Sequence, residues 1–326
     1  MTGRWAKEVL EYGLSRRAIL KAAGTVAVAA AFGTLGCVSS SSSSHTELSA
    51  LISPTTVPSA GEMVVATDAD PAKLVDSALD AFGGLSGIVK KGDKVLVKAN
   101  FTFARTVDQG ACNQPQVLAR IMQRLSAAGA SEVTAFDHTI DNASLCLDRS
   151  GIKDALGNAG FKVMAIGGKG DYTNKSIPGS TLTSTSIATI LNDADVLVNV
   201  PVVKSHSNTL LTAGMKNLMG VIWDRQAFHT SDLDACIADL ASYIKPSLII
   251  ADAYRVLKTG GPGGGRAGDE VIEPHQLIVG RDQVAVDSYS ATLLGLRGSD
   301  IGHIMDAYRL GLGEYDLSKV KIHKVG

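Results

Sequence analysis

Short apolar segments alternate with amphipathic ones over most of the chain from residue 62 onward. Runs of β-branched and aliphatic residues predict strands at 63–65, 95–97, 132–136, 196–200, 248–250 and 320–322. Apolar residues at helical spacing predict helices within 71–82, 115–128, 143–159, 231–244 and 283–294. Nearly continuous apolar strands that alternate with helices predict an α/β layered domain, with a mostly parallel sheet flanked by helices. The pattern leaves open whether this domain has one lobe or two.

The first 61 residues follow a different pattern. An Ala-rich apolar run from Ala22 to Leu35 has basic residues only on its N-terminal side, and six serines, Ser39 to Ser44, follow it closely. The run is shorter than the ~20 residues that a transmembrane helix needs, which favours an export signal. Serine-rich segments cannot form a packed core and predict a linker. The predicted organisation is therefore a signal peptide at 1–37, a Ser-rich linker at 38–61 and an α/β domain at 62–326.

The segment from Ser15 to Lys21, Ser-Arg-Arg-Ala-Ile-Leu-Lys, resembles a twin-arginine export signal, from which only Ile19 departs. The resemblance implies that the twin-arginine export machinery carries the folded protein to the periplasm or to the outer face of the membrane. The segment from Leu35 to Cys37 resembles a lipoprotein processing site and implies a lipid anchor on Cys37, although Thr34 stands where an aliphatic residue is usual.

Charge and cysteine content narrow the classes of partner. The 31 basic and 32 acidic residues give a net charge of −1, so no overall field would concentrate nucleic acid, and nucleic acid is not an expected partner. Removal of the basic signal would leave a mildly acidic domain. The cysteines after the signal, Cys112, Cys146 and Cys236, are widely spaced and form no Cys-x-x-Cys motif. This chain alone is therefore not expected to hold an iron–sulfur cluster.

The densest group of polar residues follows the predicted strand at 196–200, where a parallel sheet binds its ligands. Lys204 and His206 are two residues apart, so both side chains of an extended segment point the same way. Lys216 lies among apolar neighbours, where a partly desolvated lysine can act as a base, a nucleophile or a cofactor attachment point. His229 could bind a metal or move a proton. Taken singly, each could instead be a solvated lysine or a structural histidine.

Other candidates have weaker signals. The run Gly260–Gly265 could cradle a phosphate through its backbone N–H groups, although no Gly-Lys-Ser/Thr follows, and a lid or a simple turn explains it equally well. Gly261 and Gly263 of this run are predicted to bind cofactor together with Lys216 and Asn217. Asp252, at a strand end, is predicted to bind metal together with His229.

Two aspartates near the start of the last predicted helix, Asp282 and Asp287, have a plainer explanation. Aspartate at a helix start accepts backbone N–H groups and favours the helix dipole. We therefore expect these two residues to cap that helix.

Several segments resemble the signature blocks of a bacterial and archaeal family called domain of unknown function 362, which has no settled activity. These segments are Val95–Asn100, Ala194–His206, Met215–Gly220, His229, Gly260–Pro262 and Val284–Asp287. The likeness covers roughly residues 62–315, nearly all of the predicted domain.

A second, more distant resemblance is to the nickel-pincer lactate racemase family, which has an ordered set of His, His, Lys and His. In that family the lysine covalently holds the cofactor, one histidine ligates the metal, and two exchange the α-proton of the substrate. The residues in corresponding order are His138, His206, Lys216 and His229, and Asn100 and Arg105 stand where that family has Asp and Arg. The resemblance implies a shared scaffold more than a shared reaction.

Two hypotheses about function follow. The first is an exported enzyme that performs isomerase- or racemase-like proton transfer on a small polar substrate, with a metal ion or metal-containing cofactor. Its predicted catalytic residues are Lys216, His206, Lys204 and His138. The second is a lipid-tethered protein that binds an anionic ligand or a metal without turnover. A purely structural protein is disfavoured because the polar residues gather at strand ends.

Overall fold

The computed structural model describes residues 62–326, so the predicted signal, the linker and Cys37 lie outside the described residues. The strands are β1 (Glu62–Thr67), β2 (Lys94–Lys98), β3 (Glu132–His138), β4 (Lys162–Ile166), β5 (Tyr172–Ser176), β6 (Ser184–Ala188), β7 (Val196–Asn199), β8 (Val202–His206), β9 (Leu210–Thr212), β10 (Leu248–Leu257), β11 (Val271–Ile272), β12 (Gln276–Gly280) and β13 (Lys321–Val325). The α-helices are α1 (Pro71–Ala81), α2 (Pro115–Ala127), α3 (Ala143–Ser150), α4 (Ile152–Asn158), α5 (Gly214–Asn217), α6 (Arg225–His229), α7 (Leu233–Tyr243), α8 (Gln283–Thr292) and α9 (Gly302–Arg309).

One large sheet has the strand order β13-β1-β12-β10-β7-β2-β3-β4. The strands from β10 to β4 in this order are all parallel, whereas β12 runs antiparallel to both β1 and β10. The predicted α/β class with a mostly parallel sheet is therefore confirmed. Strand β12 was not among the predicted strands. Its antiparallel direction has no signal in the sequence, because a short apolar run does not show in which direction a strand runs relative to its neighbours.

Helices cover both faces of this sheet. Along β1, Met63 and Val65 enter one hydrophobic core, and Val64 and Ala66 enter the other, as the alternation of side chains in a strand requires. The first core includes side chains of α5 to α9, and the second includes those of α1 to α4. Burial on both faces explains why the strands are almost continuously apolar.

The predicted helices are found, with one interruption. The helix expected within 143–159 is divided into α3 and α4 at Gly151, whose φ of 72° ends the first helix in the left-handed region that glycine tolerates. Residues 62–326 belong to one compact unit, so the second lobe left open by the sequence is not found among them. None of the helices within 62–326 is long and apolar enough to cross a membrane.

Candidate active site

A cavity of about 90 Å³ lies at the carboxyl edge of the parallel strands. The strands β2, β3 and β7 end side by side there, and β8 continues beyond β7 by pairing in parallel with the second half of β10. This volume is enough for several water molecules or one small organic molecule. The edge of the sheet predicted from the sequence is therefore the edge that contains a cavity.

Five of the predicted site residues line the cavity. They are Lys204, His206, Lys216, Asn217 and His229. Lys204 and His206 both reach it because they are two residues apart on the extended strand β8.

One carboxylate, that of Asp137, is found among the described residues that line the cavity, and it is paired with a lysine. The Nζ atom of Lys98 lies 2.7 Å from Oδ1 of Asp137, and both side chains are fully buried. Oδ2 of Asp137 accepts hydrogen bonds from the backbone N–H of Phe101 and the hydroxyl of Thr102, both at 2.9 Å. Burial lowers the pKa of Lys98, and the charge of Asp137 opposes that shift. Because of this pair, the described residues that line the cavity carry no free negative charge.

Three further cations line the cavity without a carboxylate partner. None of the ion pairs found within residues 62–326 includes Lys204, Lys216 or Arg225. Burial, chiefly, lowers the pKa of Lys204 to about 8 and the pKa of Lys216 to about 8. Buried cations normally have a partner, because taking a charge out of water is costly. Unpaired cations around a small cavity are therefore typical of a binding site for an anion.

Two of the three cations, Lys204 and Arg225, donate hydrogen bonds to neutral oxygen atoms. Nζ of Lys204 donates to Oδ1 of Asn100 at 3.0 Å and to the carbonyl of Ala111 at 2.6 Å. Nε of Arg225 donates to the carbonyl of Met219 at 3.2 Å, and its guanidinium also donates to the carbonyl of His138. These acceptors orient the side chains without neutralising their charge.

The side-chain amide of Asn217 holds the residues around the cavity lysines in place. Its Oδ1 accepts hydrogen bonds from Nζ of Lys98 at 3.2 Å and from Nδ2 of Asn100 at 2.9 Å, and its Nδ2 donates to Oδ1 of Asn199 at 2.8 Å. The amide of Asn100 is thereby turned so that its oxygen meets Lys204. Asn217 thus positions two lysines in addition to lining the cavity.

The two cavity histidines are neutral near pH 7. Burial, followed by the charge of Lys216, lowers the pKa of His206 to about 3, and the same two causes lower the pKa of His229. Nδ1 of His206 accepts the backbone N–H of Asn208 at 3.1 Å. The proton of the neutral ring is therefore on Nε2, which makes His206 a hydrogen-bond donor to a ligand.

The helix that carries Lys216 is held by a residue from another helix. Asp287 in α8 accepts the backbone N–H groups of Gly214 and Met215 at 2.6 and 3.0 Å, at the start of α5. Burial raises the pKa of Asp287 to about 6. Asp282 caps α8, as predicted, but Asp287 caps α5 instead of the helix expected from the sequence.

The other predicted catalytic histidine, His138, does not line the cavity. Its ring lies parallel to that of Trp223, with centroids 5.9 Å apart, and its Nδ1 is 2.9 Å from the carbonyl of Ile222. Arg105 stands where the lactate racemase family has an arginine. Its Nε donates to the carbonyl of Gly264 at 3.1 Å, and Arg105 also lies outside the cavity lining.

Gly261 and Gly263, predicted to bind cofactor, lie beside the cavity and do not line it. The N–H of Gly261 donates to Oγ of Ser205 at 3.1 Å, and that of Gly264 donates to the carbonyl of Gly260 at 3.1 Å. These two donors of the glycine run are therefore already used, and the run places Pro262 in the wall of the cavity. The arrangement favours the interpretation that the glycine run forms part of the cavity wall, and not that it binds a phosphate.

Asp252, predicted to bind metal with His229, lies outside the cavity lining. Its Oδ2 accepts the backbone N–H of Gln114 at 2.8 Å and Nδ2 of Asn113 at 3.2 Å, and its side chain is buried. These bonds give Asp252 a structural role in joining β10 to the segment that precedes α2.

The donors around the cavity do not fit a bare metal ion. Within residues 62–326, no three His, Cys, Asp or Glu side chains are grouped so that they could hold one. His206 and His229 line the cavity, but Lys204, Lys216 and Arg225 would repel a cation there, and the carboxylate of Asp137 is engaged by Lys98. The same charges fit the carboxylate or phosphate of an organic molecule.

No role in the site was predicted for Lys98, Asp137 or Arg225, which all line the cavity. Lys98 and Asp137 stand where apolar strands become polar, which is the place where a parallel sheet binds its ligands. Arg225 follows Asp224, the N-cap of the short helix α6, and nothing in its local sequence indicates a site.

Comparisons with known proteins agree with the resemblance drawn from the sequence. A family model described as domain of unknown function (DUF362) matches residues 95–292. A thylakoid-associated protein of Synechocystis sp., sll1697, is 26% identical over 242 residues, which are 72% of this chain and 73% of that protein.

Among solved structures, the lactate racemase apoprotein from Thermoanaerobacterium thermosaccharolyticum matches with a TM-score of 0.38 and 12% identity. The match covers 76% of this chain and 56% of that chain, so this chain spans little more than half the length of that protein.

Proposed function

Since the chain belongs to the family described as domain of unknown function (DUF362), we propose that its cavity is an active site for proton transfer on a small anionic substrate. One observation carries the proposal. Three cations without carboxylate partners, Lys204, Lys216 and Arg225, meet at a cavity of about 90 Å³ that two neutral histidines also line. The matched residues 95–292 include all of these side chains.

Each side chain has a role that its surroundings favour. Lys204, which is buried, and Arg225, which is half-buried, bind the anion, because charges shielded from water interact more strongly than solvated ones. His206 donates a hydrogen bond from Nε2 to a second polar atom of the substrate. Lys216 supplies an amine that loses its proton readily, and the more exposed His229 exchanges a proton with solvent.

Binding without turnover is the alternative, and one observation favours it. Asp137 is engaged by Lys98, so the part of the cavity lined by residues 62–326 has no free carboxylate base, and a proton acceptor from this part of the chain must be a lysine or a histidine. Both functions need the same bound anion. They differ only in whether a C–H proton of that anion is exchanged.

Deuterium exchange distinguishes the two functions. We expect the purified domain to bind sulfate in calorimetry and, in D₂O, to exchange the C–H protons next to the carboxyl or carbonyl group of at least one small carboxylate, followed by proton NMR. Lys216→Met and His229→Gln should lower the exchange rate at least about tenfold by removing an acid–base group, whereas Lys162→Met, at an exposed lysine on β4, should not. Sulfate binding without any exchange supports the alternative, and absence of sulfate binding contradicts both.

The location of the protein is a separate proposal. We propose that the twin-arginine signal at 1–37 exports it and that Cys37 attaches it to a membrane by lipid, with the Ser-rich linker between anchor and domain. The relative in Synechocystis is a thylakoid-associated protein, which agrees with a membrane-associated location. The helices within 62–326 offer no membrane span, so attachment would rest on the N-terminus.

Fractionation tests this location. In a host with twin-arginine export, replacing Arg16 and Arg17 together by lysine should leave nearly all of the protein in the cytoplasm, because that machinery reads the arginine pair. Cys37→Ser should keep export but release the protein from the membrane fraction on immunoblots, and Cys146→Ser, at a buried cysteine of the domain, serves as its control. An unchanged distribution of either variant would refute the corresponding step.

A further inference from the structure

Lys216 differs from the other cavity lysines because, within residues 62–326, no oxygen atom accepts a hydrogen bond from its Nζ. Its Nζ contacts Sδ of Met219 at 2.8 Å, and a thioether is a weak hydrogen-bond acceptor. By contrast, Lys98 is paired with a carboxylate, and Lys204 donates to two oxygen atoms. Lys216 is also 8% exposed, so solvent does little to stabilise its charge. Of the three amines, that of Lys216 is the one free to react.

The neighbours of Lys216 favour its neutral form. Burial acts first and the positive charge of Arg225 second, and together they lower the pKa of Lys216 to about 8. At pH 7.5 roughly a quarter of the molecules would then carry a free amine, compared with about one in a thousand for an ordinary lysine. A free amine that lines a cavity is a nucleophile toward a carbonyl carbon.

The groups around this amine define which carbonyl compound would fit. Lys204 and Arg225 provide positive charge for a carboxylate, and His206 provides Nε2–H for the carbonyl oxygen. The volume of about 90 Å³ suits a ligand of a few carbon atoms. We propose that Lys216 forms an imine with the carbonyl group of a small 2-oxo acid, a proposal that rests on the anionic substrate proposed above.

The step balances without an oxidant or a reductant. The lone pair of Nζ forms the N–C bond, and the π electrons of the carbonyl group move onto its oxygen. That oxygen leaves as water after protons arrive from the amine and from solvent, and a protonated imine remains. The cationic imine withdraws electrons from the neighbouring carbon, whose proton His229 can then accept. The imine nitrogen, which Lys216 supplies, can therefore accept the electron pair that remains on carbon when its proton is removed.

Reductive trapping tests the imine. We expect pyruvate with sodium cyanoborohydride to add one reduced adduct to the wild-type domain, located on Lys216 by peptide mass spectrometry. Lys216→Arg should lose this adduct and Lys162→Arg should keep it, while acetone, which lacks the carboxylate, should label at least about tenfold less than pyruvate. An adduct spread over exposed lysines, or equal labelling by acetone, would overturn the proposal.

Failure of the imine is separable from failure of the anion site. Calorimetry with sulfate and with pyruvate, on the same protein, reports binding without any covalent step. Binding of both anions with no adduct on Lys216 would overturn the imine and leave the proposed function standing. Loss of both binding and labelling would overturn both, provided that circular dichroism shows the wild-type and Lys216→Arg proteins to be folded.

Discussion

Replacing Asp137 by alanine is expected to lower the free energy of unfolding by about 3–5 kcal/mol. The change leaves the ammonium of Lys98 fully buried without its partner at 2.7 Å, and it also removes the acceptor of the Phe101 N–H and the Thr102 hydroxyl. A buried charge without a partner costs more than the pair itself contributes. Urea unfolding followed by circular dichroism at pH 7 measures the loss.

Glu132 at the start of the same strand supplies the matched control. It pairs with Lys162 at 3.2 Å, and both side chains are largely exposed, so Glu132→Ala should cost less than about 1 kcal/mol. The double change Lys98→Met with Asp137→Leu should recover much of the stability lost in Asp137→Ala, because it removes both buried charges. Equal losses for Asp137→Ala and Glu132→Ala would contradict this account.

Acidification is expected to destabilise the fold through His206. Burial and the charge of Lys216 lower the pKa of His206 from 6.5 to about 3. Between these values the unfolded chain binds a proton that the folded protein does not, so stability is fully present above pH 6.5 and decreases as the pH falls toward 3. With allowance for the partial exposure of the ring, the loss should be about 2–4 kcal/mol.

Urea titrations at pH 7, 6, 5 and 4 measure this effect. Wild type should lose stability across the series, and His206→Gln, which cannot be protonated, should lose less by about 1.5–3 kcal/mol at pH 4. The comparison isolates His206, because His138 and His229 also have lowered pKa values and contribute to the slope of both proteins. Identical slopes for the two proteins would refute the assignment.

Much of the fold could be predicted because the signals are local. Burial on both faces makes strands such as β2 and β7 continuously apolar, and the helices between them keep one apolar face. The antiparallel placement of β12 could not be predicted, since it depends on the pairing of β12 with two other strands, β1 and β10, and not on the residues of β12 alone. The break at Gly151 has a local signal, the glycine itself, but a glycine inside a helical pattern is often tolerated.

The site could be predicted only where its residues lie close together in the sequence. Lys204 and His206 share a strand, and Lys216 follows ten residues after His206 in the sequence. Arg225 belongs to the cavity because its guanidinium meets the carbonyl of His138, 87 residues away, and no local pattern contains that contact. His138 stands at the expected place in the ordered set of His, His, Lys and His, yet its ring packs against Trp223 and does not line the cavity.

Asp287 gives the site a dependence on the order of folding. It joins the helix that bears Lys216 to α8, across 73 residues of sequence, so the two segments meet only after the second half of the chain has been made. Until α8 docks, the two backbone N–H groups at the start of α5 lack the carboxylate that accepts their hydrogen bonds. On the proposed export route, which carries folded proteins, the reactive amine would therefore be assembled in the cytoplasm and would cross the membrane ready for use.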